Sequence, residues 1–261
     1  MRLPKTSRTS SELKELRLGR GDYAAGGSRS LPFLHLDNAR RRRPLVFGEV
    51  TDDLSGYPEL AAGMFSGRET DPAEWAVMWK EIGADGICIR INDADRAVEL
   101  VRTVSDRTRL PIIVDVRRDM VCSIAESIDD TILMFFSDEV LSDGHLAAVI
   151  CDDADEATRT CGEQDSVISF KPSCKGLRDL VDRIEEYRAR GLSGDTRCSN
   201  PILVDVSYVW DSEQYDDVRS ASMHEATAAL SVMMAGADMI IVRGPGAADM
   251  ARVYGEELAD L

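Results

Sequence analysis

The sequence predicts an α/β fold of the (β/α)8 TIM-barrel type. Three observations carry this expectation. The chain has 261 residues, the length of one such barrel. From Pro44 onward it alternates apolar runs with helical patterns, eight times in all. The runs read apolar on both faces, as parallel strands covered by helices do. The alternative, an open doubly wound sheet, normally carries a Gly-rich phosphate turn after its first strand, and Glu49-Val-Thr-Asp-Asp-Leu-Ser-Gly56 contains no G-x-G-x-x-G. Eight right-handed β-α-β steps closing on themselves are therefore favoured.

Residues 1–43 are expected to form a separate arm, basic and partly extended, and residues 44–261 the barrel domain. Arm and barrel differ in charge: residues 1–43 hold 11 Lys/Arg against 4 Asp/Glu, and the rest 20 against 43, for a total of −16. So acidic a body argues against nucleic acid as a partner. The run Arg40-Arg-Arg-Arg43 then reads as a tail docking on its own acidic barrel or on an acidic partner. A short helix over 10–18 is the one element expected in the arm, which is otherwise held dispensable for folding.

The strands are expected at 45–50, 86–91, 111–116, 131–136, 146–151, 167–171, 202–207 and 239–243. Helical segments fall at 72–82, 93–105, 118–128, 154–163, 176–189, 218–235 and 247–259, and only the connection 137–145 is too short for a full helix. Asp71-Pro72 sets an N-cap before a first-turn proline, Asp93 and Asp153 stand where N-caps belong, and Gly83 and Gly236 where C′ glycines belong. Trp75 and Trp79, one helical turn apart, share a face that packs on the sheet or is offered to a partner.

No run of about 18 apolar residues exists, so no membrane span is expected, and the N-terminus lacks an apolar h-region, which points to a cytoplasmic address. The six cysteines include no C-x-x-C pair and the three histidines stand apart, so structural thiols and no metal site are expected. No nucleophile elbow, Walker loop or H-E-x-x-H occurs.

In a barrel, ligands meet the loops after each strand. Read in order, the strand ends supply Glu49 and Asp52, Arg90 and Asn92, Asp115 and Arg117, Asp138, Asp152 and Asp153, Lys171 and Ser173, Asp205 and Ser207, and Arg243; of these, Glu49, Asn92, Asp115, Lys171, Asp205 and Arg243 are the candidate ligand-binding residues. Gly244-Pro245-Gly246 leaves the eighth loop low enough for a ligand to approach. Carboxylates such as Asp115 and Asp205 can accept from the ring N–H groups of a pterin or another flat polar heterocycle, or they can cap the following helices.

Three stretches carry a family resemblance: Gly26-Gly-Ser-Arg-Ser-Leu-Pro-Phe33 with Arg43-Pro-Leu-Val-Phe-Gly-Glu-Val50; Asp71-Pro-Ala-Glu-Trp75 with Ile82-Gly-Ala-Asp-Gly-Ile-Cys-Ile-Arg90; and Ser222-Met-His-Glu-Ala-Thr227 with Ala235-Gly-Ala-Asp-Met-Ile-Ile-Val-Arg243. The chain resembles the small, or delta, subunit of the corrinoid iron–sulfur protein of the CO dehydrogenase/acetyl-CoA synthase complex. Phe170-Lys-Pro-Ser-Cys-Lys-Gly-Leu177 departs from the Gly-rich loop that the family carries there. The resemblance implies a barrel that binds no cofactor alone, with a corrinoid (cobalamin) shared at a subunit interface. Its implied partners are the corrinoid iron–sulfur large subunit and a methyltransferase, and its role is accessory to methyl transfer in one-carbon metabolism. Two other readings stand beside it: a stand-alone pterin-binding methyltransferase using Asn92, Asp115 and Asp205, and a barrel kept only as a scaffold.

Overall fold

The structure is a computed structural model that describes residues 11–19, 23–31, 42–128, 133–141, 145–172, 175–212 and 215–260. It begins with a two-stranded antiparallel hairpin, β1 (Glu15–Arg17) and β2 (Ala24–Gly26). Eight parallel strands follow: β3 (Leu45–Thr51), β4 (Gly86–Arg90), β5 (Ile112–Asp115), β6 (Leu133–Ser137), β7 (Leu146–Cys151), β8 (Val167–Phe170), β9 (Ile202–Asp205) and β10 (Met239–Val242). They pair in chain order and β10 closes on β3, so the sheet is a closed barrel. The expected fold is therefore the observed one.

The outer layer holds α1 (Glu59–Phe65), α2 (Pro72–Glu81), α3 (Ala97–Thr108), α4 (Val121–Ser127), α5 (Ala154–Cys161), α6 (Leu177–Leu192), α7 (Val209–Ser212), α8 (Val218–Ala235) and α9 (Pro245–Asp260). Caps fix the helix starts as their sequences require. The side chains of Asp71, Asp153 and Asp217 accept from Glu74, Glu156 and Ser220 N–H respectively. Gly236, with φ +111°, ends α8 in the left-handed region. Between β6 and β7 the described residues hold no helix. α1 and α7 lie outside the expected helical segments: each is short, and neither shows a sustained apolar period.

Strand alternation divides the apolar residues into two cores. Phe47, Cys88, Ile113, Leu203 and Ile241 point inward and fill the barrel. Val46, Ile87, Ile112, Val204 and Ile240 point outward to the helices. Trp75 and Trp79 are both fully buried in the outward core, so their shared face packs on the sheet. Gly48 is required beneath Trp79, because a Cβ there would lie 2.1 Å from the indole. The same indole donates to the Glu49 carbonyl at 2.8 Å and pins the end of β3.

The arm needs correction. Residues 15–17 form a strand and not part of a helix over 10–18. The hairpin seals the floor of the barrel: Leu18 and Ala25 join the interior cluster with Leu45, Phe47 and Met239, and Leu13 is also buried. Lys14 N–H donates to the Ser199 carbonyl at 2.9 Å. The basic run does contact the acidic barrel, since Arg43 forks onto Asp85 at 2.7 and 2.6 Å. Arg40, Arg41 and His35 lie outside the described residues.

Candidate functional site at the barrel mouth

The alternation that fills the barrel also builds its mouth. Two residues beyond each inward apolar residue Phe47, Cys88, Ile113, Leu203 and Ile241 stand Glu49, Arg90, Asp115, Asp205 and Arg243. Five strands thus place an acidic or basic side chain in the layer where the barrel opens. These five residues border a cavity of about 610 Å³, with Tyr57, Asn92, Arg117, Ser207, Tyr208 and Asp211 among its other walls.

Arg90 organises the layer. Parallel register sets it beside Asp115, to which Nη1 donates at 2.8 Å. Its Nε donates to Glu49 on β3 and its Nη2 to Asp205 on β9, so one guanidinium spans the mouth and ties together three carboxylates. Glu49 is fully buried and turns its second oxygen to Arg243 Nε at 2.6 Å. Arg243 continues the network to Asp211 at 2.8 Å, and its guanidinium carbon lies 4.2 Å from the centre of the Tyr57 ring.

Arg243 is held from behind by Glu225. This buried carboxylate accepts from the N–H groups of Arg243 at 2.6 Å and Gly244 at 2.8 Å, and from Trp210 Nε1 at 2.9 Å. A Cβ on Gly244 would stand 2.9 Å from the carboxylate oxygen and 3.0 Å from Trp210, so a larger residue would have to displace Glu225. Burial pushes the Glu225 carboxyl up to about 8, against the three N–H donors that favour its charge.

Burial also acts to raise the Glu49 carboxyl, but the guanidiniums of Arg90 and Arg243 overcome it and hold the group at about 2. Burial opposes the charge on Arg90, and Asp205 and Glu49 more than restore it. Burial and then Glu49 push the Tyr57 phenol upward. Burial likewise raises Cys88, which lies below Arg90, so this thiol stays protonated and inert near neutrality. The mouth is a platform of fixed charges.

Of the six expected site residues, five border this cavity: Glu49, Asn92, Asp115, Asp205 and Arg243. Lys171 does not. It has inward parity but follows the last residue of β8, and its amine turns to Asp152 at 3.2 Å on the exposed rim. Asp115 and Asp205 are not helix caps: both carboxylates go to Arg90, and Asp205 also accepts from Ser207 N–H at 2.9 Å. Asn92 is fixed by Asp52, which accepts its backbone N–H at 2.9 Å. Arg90 is among the expected strand-end residues but not among the six candidates, and Tyr57 is in neither group. Two-residue alternation from Cys88 points to Arg90; Tyr57 sits in a loop and carries no such signal.

Among the described residues, no group of three His, Cys, Asp or Glu could hold a metal ion, and no helix is long and apolar enough to cross a membrane. No protein-family model matches the chain, and no curated protein sequence matches it. Solved structures do. Dihydropteroate synthase of Thermus thermophilus is 17% identical, with 87% of this chain and 98% of that chain covered and a TM-score of 0.59. The Yersinia pestis dihydropteroate synthase is 17% identical over 89% of this chain and 99% of its own, with a TM-score of 0.58. A Xanthomonas albilineans dihydropteroate synthase, in complex with indole-2-carboxylic acid and 6-chloroguanine, is 17% identical over 79% and 90%, with a TM-score of 0.55. At this identity the likeness establishes the barrel fold that these synthases share with the chain.

Proposed function

We propose that this barrel binds a reduced pterin, or a flat heterocycle with the same polar edge, at the mouth organised by Arg90. We propose further that it serves methyl transfer as the accessory partner of a corrinoid-carrying iron–sulfur protein. The observation that carries the reading is the pair Asp115 and Asp205. They stand on opposite sides of the ring of strands, are fixed by one guanidinium, and keep partly exposed carboxylates towards the cavity. Each carboxylate has lone pairs beyond those given to Arg90, and adjacent ring and exocyclic N–H groups are their natural donors. Structures of the similar synthases include a Yersinia pestis enzyme with a pterine–sulfa conjugate, which supports a ligand of this class on this type of barrel.

The accessory role rests on what the platform can do. Near neutrality Glu49 is anionic, Arg90 and Arg243 are cationic and Tyr57 keeps its proton. Such groups orient a ligand and stabilise its charge distribution, but they do not shuttle protons. In this reading the corrinoid is carried by the partner. When bound there, a corrinoid supplies the cobalt nucleophile that accepts the methyl group. This chain's residues then hold the pterin edge through Asp115 and Asp205 and cover the site from water.

The test is methyl transfer from methyl-tetrahydropterin, followed by the corrinoid absorption spectrum. With a corrinoid iron–sulfur protein as acceptor, addition of the chain should raise the rate. The Asp115→Asn/Asp205→Asn double variant should return it to background. Turnover of free cob(I)alamin by the chain alone would make it a stand-alone methyltransferase. No effect of the chain with either acceptor would remove methyl transfer from its account.

A further inference from the structure

We propose that Glu225 is a specificity-determining residue that closes the mouth to phosphate, so that the ligand held by Asp115 and Asp205 is an unphosphorylated heterocycle. The choice of heterocycle rests on the pterin reading above; the exclusion of phosphate rests on the geometry alone.

Barrels of this kind commonly receive a phosphate between the loops after the seventh and eighth strands, where backbone N–H groups and the start of a short helix converge. Here those strands are β9 and β10. The loop after β9 leads into α7 with Trp210, and the loop after β10 supplies the N–H groups of Arg243 and Gly244. All three donors do converge, but on the Glu225 carboxylate from α8. Its Oε1 accepts from Arg243, and its Oε2 from Gly244 and Trp210. Pro245 follows and has no N–H to offer. Glu225 is fully buried behind Arg243, which forms the cavity wall. With or without the proton that burial favours, its carboxyl group takes the donors and the space that an incoming phosphate needs.

The same arrangement recurs around the mouth. After β4 the N–H groups of Asn92 and Asp93 go to Asp52 at 2.9 and 3.0 Å, and after β9 that of Ser207 goes to Asp205. The guanidiniums are engaged as well. Bordering the cavity, Arg90, Arg117 and Arg243 stand against Glu49, Asp53, Asp115, Asp205 and Asp211, three cations to five carboxylates. Arg90 serves three of these carboxylates and Arg243 two, while Arg117 turns to Asp119. An incoming phosphate therefore meets donors already engaged by the chain's own carboxylates, and an excess of negative charge. A neutral heterocycle offering N–H groups meets acceptors instead.

The experiment uses the full chain. Calorimetric titration compares a reduced pterin alcohol with its phosphate ester, and the ester should bind at least about tenfold more weakly. Inorganic phosphate at millimolar concentration should leave the thermal midpoint where chloride of equal ionic strength leaves it. Glu225→Ala frees the three N–H groups and vacates the carboxylate position, so it should melt lower. Formate should raise the midpoint of that variant in a saturable way and leave the wild type unmoved. An ester that binds as tightly as the alcohol, or saturable stabilisation of the wild type by phosphate, would overturn the proposal. So would a Glu225→Ala chain that formate does not stabilise. Should that variant fail to fold, the two wild-type titrations decide. Should neither pterin bind, the pterin reading fails, and the phosphate and formate measurements decide whether Glu225 holds the anion position.

Discussion

Replacing Glu49 by Gln is expected to lower the stability of the chain by about 3 kcal/mol, at the lower end of the cost of breaking a buried ion pair. The carboxylate is fully buried between Arg90 and Arg243. An amide keeps part of the hydrogen bonding but leaves both guanidiniums short of a counter-charge. Arg90 retains Asp115 and Asp205, and Arg243 retains Asp211, which is why the cost stays near the lower end. The pH dependence gives a similar size. A carboxyl moved from its ordinary value of 4.5 to about 2 on folding stabilises the folded state by about 3 kcal/mol.

The sign follows from proton counting. Between the two values the unfolded chain binds the extra proton, so this stabilisation is complete above about pH 4.5 and is lost as pH falls towards about 2. Urea unfolding of both proteins from about pH 7 to about pH 2.5 isolates the effect, because the other carboxylates titrate in each. The wild-type curve should fall towards that of Glu49→Gln in acid. A constant gap between the two curves would show that Glu49 is not held ionised by its arginines.

Removal of residues 1–31 is expected to destabilise the barrel strongly. The deleted hairpin buries Leu13 and Leu18, each 4% exposed, and burial of a leucine contributes about 1.5–3 kcal/mol. The two together represent about 3–6 kcal/mol before the uncovered floor is counted. That floor includes Phe47 and Met239, which would then meet water. The truncated chain should show a much lower thermal midpoint or no cooperative transition. A midpoint equal to that of the full chain would restore the dispensable arm that the sequence implies.

That arm shows where sequence reading stops. Eight strands are legible because each is a run of residues apolar on both faces, as parallel strands covered by helices are. The hairpin strands are three residues each, too short for a period, and Glu15 and Arg17 disguise one of them as a polar helix. Its role depends on the open end of a closed barrel, a property of the tertiary fold. The mouth is legible in part for a related reason. Carboxylates at strand ends attract notice as hydrogen-bond acceptors, and Glu49, Asp115 and Asp205 stand out that way. Arg90 is legible at its strand end by the same signal, two residues after Cys88, but its pairing with all three carboxylates follows only from the closed barrel. Lys171 qualifies on position alone, and the end of β8 at Phe170 turns it outward.

The account's central claim is that the Arg90 platform recognises a pterin edge through Asp115 and Asp205. Calorimetric titration of methyl-tetrahydropterin tests it most directly, on the chain with a corrinoid iron–sulfur protein added and on the same mixture with Asp115→Asn or Asp205→Asn. Each substitution turns an acceptor towards the ligand into a part-donor and should weaken binding by roughly tenfold to a hundredfold, about 1.5–3 kcal/mol for a hydrogen bond to a charged group. The mixture with Lys171→Ala should bind as the wild type does. Undiminished affinity in both aspartate variants, or a loss confined to Lys171→Ala, would contradict the claim and place the ligand elsewhere on the barrel.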